Sequence, residues 1–274
     1  MTSPADTDAT DAADASDHEG AAKAIAAGIQ SRSQPGYWLH TGGTGILTYE
    51  DSNAGRLGEH SDKEYNDWTG ISELTNLPDE AFHRNVDKIV LGAGTDVCKT
   101  NVVCPPTIYG DGRGPVSGRG RQVYEMSKLV LTGGYIPIIG AGAARWNNVH
   151  VADLADVYVL LVEAALSPQH SQDPELWGAK GYTIVENGEH LWSDIARKVG
   201  KTAAELGYLK EEPKEQALSK EKALDQAGFE AVSWGLNSRA KGERARKVLG
   251  WKPSRPTLEE TIPEILKGEK ARLG

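Results

Sequence analysis

Short apolar segments alternating with helical ones predict an α/β fold, a parallel sheet under helical cover. Strand-like runs at 37–40, 99–104, 148–151 and 182–185 are separated by segments with helical spacing. Two of those runs lead directly into turn-forming sequences, Thr41-Gly42-Gly43-Thr44-Gly45 and Pro105 to Gly110. The last hundred residues are mostly helical in pattern and read as a second lobe. Ligands of open parallel sheets lie beyond the carboxyl ends of the strands, so both turns are expected to face one crevice.

Residues 1–17 are dominated by Ala, Asp, Thr and Ser and are expected to be a disordered acidic lead. The core is expected over 18–134 and a substrate-type lobe over 135–274, with strands of the latter joining the core. From His18 to Ser31, the residues Ala22, Ile25, Ala26 and Ile29 share one helical face. Gln34-Pro35-Gly36 ends that helix, and Tyr37–His40 is a strand. The polar stretch 48–78, punctuated by Asn53, Gly55, Gly58, Asn66, Gly70 and Pro78, reads as a long loop. Pro78–Leu91 has helical spacing, with Ala81, Phe82, Val86, Ile89 and Val90 on one side. Lys99–Cys104 is a strand stopped by Pro105-Pro106, and the Gly-rich segment 110–120 leads to a helix over Gln122–Leu131. A strand at Asn148–Val151 precedes a helix from Asp153 to Leu166, with Asp153 as its N-cap. Tyr182–Val185 is a strand, and helices follow near 192–206, 218–228, 238–249 and 258–267. The last opens with Thr257-x-x-Glu260, a capping box.

Composition narrows the function classes. The 274 residues, 39% hydrophobic and 25% charged, describe an ordinary globule. A net charge of −9, from 30 basic and 39 acidic side chains, argues against nucleic acid as a partner. No stretch reaches the ~20 apolar residues of a membrane helix, and the nearest, Val157–Leu166, is interrupted by Glu163. The acidic N-terminus lacks a signal-peptide pattern, so a cytoplasmic protein is expected. Two cysteines, Cys98 and Cys104, make neither a disulfide framework nor a zinc site, and no His-x-x-x-His pair exists, so no metal is expected.

Four constellations carry polar chemistry. Thr41–Gly45 lacks the third Gly and following helix signal of a dinucleotide fingerprint and the Lys of a P-loop, so it reads as a strand-end turn with two hydroxyls. Tyr124-x-x-x-Lys128 places a Tyr and a Lys on one helical face, either as a proton-transfer pair or as ordinary amphipathic positions. Asn147 and His150 sit at a strand-to-helix junction where a substrate role is open. Arg239, Lys241, Arg244, Arg246 and Lys247 form a basic run that reads as a solvated face, with a phosphate-bearing ligand as the other option.

The segment Thr100-Asn101-Val102-Val103-Cys104-Pro105-Pro106-Thr107-Ile108-Tyr109-Gly110 resembles the extended and atypical short-chain dehydrogenases, the NAD-dependent epimerase/dehydratase family, where such a strand ends beside the nicotinamide. Leu39–Gly45, Asn148–Ala155 (a Val-His-Val-x-Asp-Leu-Ala pattern) and Leu249-Gly250-Trp251-Lys252-Pro253 match further family segments in family order, so the resemblance covers about residues 10–255. It implies a partial Rossmann-like, doubly wound parallel sheet with a mostly helical C-terminal lobe, and NAD or NADP as cofactor. The substrate it implies is a small hydroxyl or carbonyl compound. It puts the hydroxyls of Thr41 and Thr44 near the reacting oxygen. Pro105, Thr107 and Ile108 would border the nicotinamide, and Ala12 and Ala13 the adenosine and ribose. Asn147, His150 and Asp153 would shape the substrate lobe.

The sequence departs from the family pattern at three places. The glycine-rich βαβ segment that family members carry before the Ala12 position is not found, so the chain is expected to start mid-domain. The helix that carries the family's Tyr-x-x-x-Lys reads His83-Arg84-Asn85-Val86-Asp87-Lys88, which leaves His83, with Lys88 nearby, as the acid–base candidates. Tyr124 and Lys128 follow the Pro-Pro-Thr-Ile-Tyr-Gly motif instead of preceding it, so they read as coincidence. Gly42 stands where many relatives carry Ser, removing one hydroxyl. A sheet without its leading strands exposes an edge, which predicts poor autonomous stability or association, for example as a homodimer. The expected function is an NAD(P)-dependent oxidoreductase or epimerase. The alternative is a non-catalytic fragment or pseudoenzyme that binds a metabolite or a protein.

Overall fold

A computed structural model describes residues 9–11, 15–114 and 118–274, the first three through their backbone alone. After β1 (Ala9–Asp11) and a 3₁₀ turn at Ala15–Asp17 comes α1 (Glu19–Gln30). His18 caps it, its Nδ1 accepting from the Ala21 N–H at 3.0 Å, and Ala22, Ala26 and Ile29 form its buried face. β2 (Gly36–Thr41) leads into a 3₁₀ turn, Thr44–Thr48, continued by α2 (Tyr49–Ala54). β3 (Tyr65–Asn66) and α3 (Ile71–Leu74) follow. The stretch expected to be a loop is therefore built from short elements. Its buried apolar side chains, Tyr65, Leu74 and Leu77, are spaced too irregularly to leave a periodic signal.

The chain continues through α4 (Arg84–Ala93), β4 (Cys98–Cys104), β5 (Thr107–Tyr109) and α5 (Gln122–Gly133). Next are β6 (Tyr135–Ile139), β7 (Arg145–His150), α6 (Val151–Leu166), β8 (Tyr182–Ile184), β9 (Glu189–Leu191) and α7 (Trp192–Glu205). The last elements are β10 (Lys214–Leu218), α8 (Lys220–Ser233), β11 (Ala240–Lys241), α9 (Arg244–Val248) and α10 (Leu258–Arg272). The expected helix over 238–249 is thus a two-residue strand and one short helix. The expected capping box on α10 is present: Thr257 accepts from the Glu260 N–H, and the Thr257 N–H donates to the Glu260 carboxylate.

The strand order β1-β2-β4-β8 is parallel throughout, with Leu39 opposite Asn101 and Val102 opposite Tyr182. Side chains alternate across it. Trp38, Val102 and Cys104 pack with α1 and α4 on one face, while Leu39 and Val103 pack with α6 on the other. Burial on both faces explains why β4 reads as a nearly unbroken apolar run. This is the Rossmann-like, doubly wound sheet that the sequence predicts. Among the described residues β1 pairs on one side only.

A second core gathers α5, α7, α8 and α10 around the parallel pair β6 and β10, with Trp192 and Trp234 fully buried. Neither strand was legible in the sequence, because Pro137 interrupts β6 and the first four residues of β10 are exposed. The end of β6 touches the 55–60 segment backbone to backbone. A Cβ on Gly140 (φ 54°) would lie 2.0 Å from the Leu57 carbonyl oxygen, so only glycine fits there. Between the two cores runs the three-stranded sheet β5-β7-β9.

Candidate functional site

The two predicted turns face one crevice. A cavity of about 430 Å³ lies beyond the ends of β2 and β4. Its floor is Thr41–Gly45, and Pro105, Pro106 and Ile108 form one wall. Trp146 and Val151 also line it, as do Phe82 and Phe229, both substantially exposed. The Ala15–Asp17 turn and the glycine-rich segment around Gly112 and Gly118–Gly120 complete the rim.

One titratable pair is built into this cleft. His83 precedes α4 in a left-handed conformation, φ 68°, the only non-glycine residue with positive φ among the described residues. Holding a side-chain-bearing residue there costs about 1–3 kcal/mol and is found mostly where function requires it. The His83 Nδ1 lies 2.7 Å from the Asp17 carboxylate. An ionised carboxylate can only accept, so Nδ1 carries the hydrogen and Nε2 is left as the basic nitrogen. Nε2 faces the floor, 3.5 and 3.3 Å from where Cβ atoms on Gly43 and Gly45 would stand. Glycine at these positions leaves the ring its space. Thr44, also in the floor, keeps its hydroxyl buried with no hydrogen-bond partner.

The predicted residues divide by where the fold puts them. Thr41 and Thr44 both line the cavity, and Thr41 hydrogen-bonds the Tyr158 hydroxyl. Pro105 and Ile108 line it, whereas Thr107 is buried and donates to Gln122 Oε1 at 2.7 Å. Lys88 points away from the site and pairs with Asp79 on the surface, so it does not stand beside His83. A spacing of five turns the two residues to different sides of the helix. Ala12 and Ala13 lie outside the described residues. Gly42 removes no cleft hydroxyl: a Cβ there would point into the interior, 3.0 Å from Val102 Cγ1 and 3.3 Å from Asp87 Oδ1.

Asn147, His150 and Asp153 act as structural ties, and none lines the cavity. Asn147 accepts from the Ala240 N–H at 2.7 Å and donates to the Gly188 carbonyl. His150, not Asp153, caps α6, its Nδ1 accepting from the Ala152 N–H. The His150 ring lies against Gly110, whose Cβ would be 2.4 Å from Nε2, and burial lowers its pKa. The fully buried Asp153 carboxylate accepts the N–H groups of Ser254 and Arg255, joining α6 to the segment before α10. Asp153→Ala orphans both donors and should cost about 2–3 kcal/mol, read as a lowered urea midpoint; an unchanged midpoint would contradict this role.

Tyr124 and Lys128 are not a pair. The Tyr124 hydroxyl donates to the Gly110 carbonyl, and burial raises its pKa to about 12, while Lys128 sits at the surface near Glu125. The basic run is a solvated face only in part, with Lys241 and Lys247 exposed. Arg244 is fully buried and donates to the Asp67 and Glu175 carbonyls. Arg246 pairs with Glu186, Arg239 with Glu189, Lys241 with Glu64, and Lys247 with Glu243. Each charge is neutralised by an acid supplied from elsewhere in the sequence or one turn away.

Sequence reasoning missed Asp17, Asp87 and the two phenylalanines. Asp87, on the same helical face as His83, is buried; it accepts the Tyr182 hydroxyl at 2.9 Å, and burial raises its pKa. A search for acids four residues from His83 would have found it. Asp17 is 66 positions away, and no local signal could have paired it with His83. Among the described residues no group of three or more His, Cys, Asp or Glu could hold a metal ion, and no helix is long and apolar enough to cross a membrane.

No protein-family profile matches the chain. It is 36% identical over 266 residues to an oxidase (Oxidase ucsJ) of Acremonium sp, covering 94% of this chain and 76% of that protein. The solved UDP-glucuronic acid 4-epimerase of Bacillus cereus, in complex with UDP-glucuronic acid and NAD, superposes with TM-score 0.61 at 10% identity, covering 93% of this chain and 68% of the other. A human epimerase family protein with NADPH gives 0.55 at 19% identity, covering 91% and 72%. The UDP-glucose 4-epimerase of Thermotoga maritima, with UDP-glucose, gives 0.53 at 14% identity, covering 87% of this chain and 64% of its own. The chain thus spans just under two thirds of that enzyme's length. With the strand order, the cleft and a 36%-identical relative in agreement, the chain belongs to the extended short-chain dehydrogenase group, the NAD-dependent epimerase/dehydratase family.

Proposed function

We propose that this protein is an NAD(P)-dependent oxidoreductase that interconverts a hydroxyl and a carbonyl group on a small compound. The observation that carries the reading is the Asp17–His83 pair, aimed at a floor of glycines beside a buried hydroxyl with no partner. The nicotinamide end of a dinucleotide fits this cleft. Pro105, Pro106 and Ile108 offer it an apolar wall. No Gly-x-Gly-x-x-Gly spacing for a pyrophosphate occurs in the sequence, so the fit described is that of the nicotinamide end alone.

When bound, the nicotinamide supplies or takes up the hydride. The chain's own residues handle the proton and the geometry. His83 Nε2 accepts the proton of a substrate hydroxyl as it becomes a carbonyl, and returns it in the reverse direction. Asp17 fixes the tautomer that leaves Nε2 available and stabilises the imidazolium once formed. Thr44, with Thr41, orients the substrate oxygen. His83 and Asp17 thereby take the task that a Tyr and Lys perform where the family pattern is complete.

Titrating the purified protein with NADPH and NADH, followed by nicotinamide fluorescence, tests the reading. Saturable binding of at least one is expected. Absence of binding at millimolar concentration of both would remove the enzyme reading for this chain.

A further inference from the structure

The chain contains two phenylalanines, and both stand at this cleft. Phe82 precedes His83, and Phe229 follows a break in α8 where Ala227 and Gly228 leave helical geometry. The two rings touch at 5.2 Å between centroids, 41% and 47% exposed, and Phe82 also lies against the His83 ring at 3.8 Å. Large aromatic side chains left in water at the rim of a cavity mark an apolar ligand.

The cations of the cleft tell the complementary story. Among the described residues its lining holds two arginines. The Arg119 guanidinium donates to both carboxylate oxygens of the nearly buried Glu269, at 2.7 and 2.9 Å, and pairs with Glu125 at 2.7 Å. Arg121 pairs with Glu230, itself a cleft residue, at 2.7 Å. A nucleotide-linked sugar brings a diphosphate, for which free forked arginine donors are a common anchor. Here Arg119 is committed to Glu269 and Glu125, the exposed Arg121 is paired with Glu230, and Glu230 and Asp17 would repel the anion.

We propose that the substrate of this site is an uncharged carbonyl or hydroxyl compound with a flat apolar body, aromatic or conjugated, that stacks on the Phe82–Phe229 pair, rather than a nucleotide-linked sugar. The proposal rests on the oxidoreductase reading for the placement of the reacting oxygen, at Thr44 and His83. It adds what the rest of the molecule must be.

Ligand-observed NMR without cofactor separates the two readings. The probes are 2-acetylnaphthalene, UDP-glucose and inorganic pyrophosphate, each at millimolar concentration. The ketone should bind with its ring protons in closest contact, and UDP-glucose and pyrophosphate should not bind. Phe229→Ser, a change at an exposed position, should weaken the ketone about tenfold. Glu230→Gln, which releases Arg121, should let pyrophosphate bind. UDP-glucose binding as tightly as the ketone, or ketone affinity indifferent to Phe229→Ser, overturns the proposal even where NADPH binds. If NADPH fails to bind while the ketone does so through Phe229, the cofactor reading falls and the substrate class stands.

Discussion

His83→Gln slows hydroxyl–carbonyl interconversion about 10²–10⁴-fold, the range spanned by general acid–base groups. NADPH affinity is expected to stay unchanged. The reading is made on any carbonyl compound that the unaltered protein reduces, with kcat followed by loss of nicotinamide absorbance. Glutamine keeps a polar group of similar reach but cannot exchange a proton near neutral pH. Because a glutamine also sits uneasily at positive φ, circular dichroism and the melting temperature are recorded alongside. Asp17→Asn is the companion change. It leaves the imidazole in place and removes only the carboxylate that fixes its tautomer, so a smaller loss, about tenfold, is expected, because Asp17 is half exposed and water can replace part of its effect. Full turnover by a folded His83→Gln protein would end the assignment.

Acidification should cost the protein a further large share of its stability, through His190. This side chain is buried between β9 and α7, its Nδ1 accepting from Asn148 Nδ2 at 2.9 Å and its ring set at 85° to Trp192. Burial lowers its pKa from 6.5 to about 3. Between those values the unfolded chain binds a proton that the native state refuses, so stability rises with pH across the window. The contribution is complete above pH 6.5 and is lost progressively as the pH falls towards 3. Its full size is on the order of 4–5 kcal/mol. His190→Gln retains an acceptor for Asn148 and removes the titration. Urea unfolding at pH 7 and pH 4.5 should show the unaltered protein losing about 2.5–3 kcal/mol more than the variant. Parallel losses in both proteins would contradict it.

The turns that became the cleft floor and wall were legible because each follows a strand and is rich in glycine, proline and hydroxyl residues, all local signals. Thr41, Thr44, Pro105 and Ile108 could be named from those alone. His83 was legible as an acid–base candidate, but the companion that the sequence suggests for it is Lys88, five positions on. The fold gives it Asp17 instead, because α1 and α4 pack side by side and bring the turn before α1 to the start of α4. The misread basic run has a similar origin: five cations in nine residues look like a surface, and their acids arrive from positions as distant as Glu64 and Glu175.

By itself the sequence determined the parallel α/β architecture, the order of the central strands β2, β4 and β8 with most of their helices, and the two turns that open the cleft, since strand alternation, helix spacing and glycine bends act over a few residues. Only the tertiary structure decided which charges remain available and what the cleft can accept. The pairing of His83 with Asp17, of Arg119 with Glu269 and of Phe82 with Phe229 joins residues 66 to 150 positions apart. Such pairings are set by how helices and strands pack, not by any local preference of the chain.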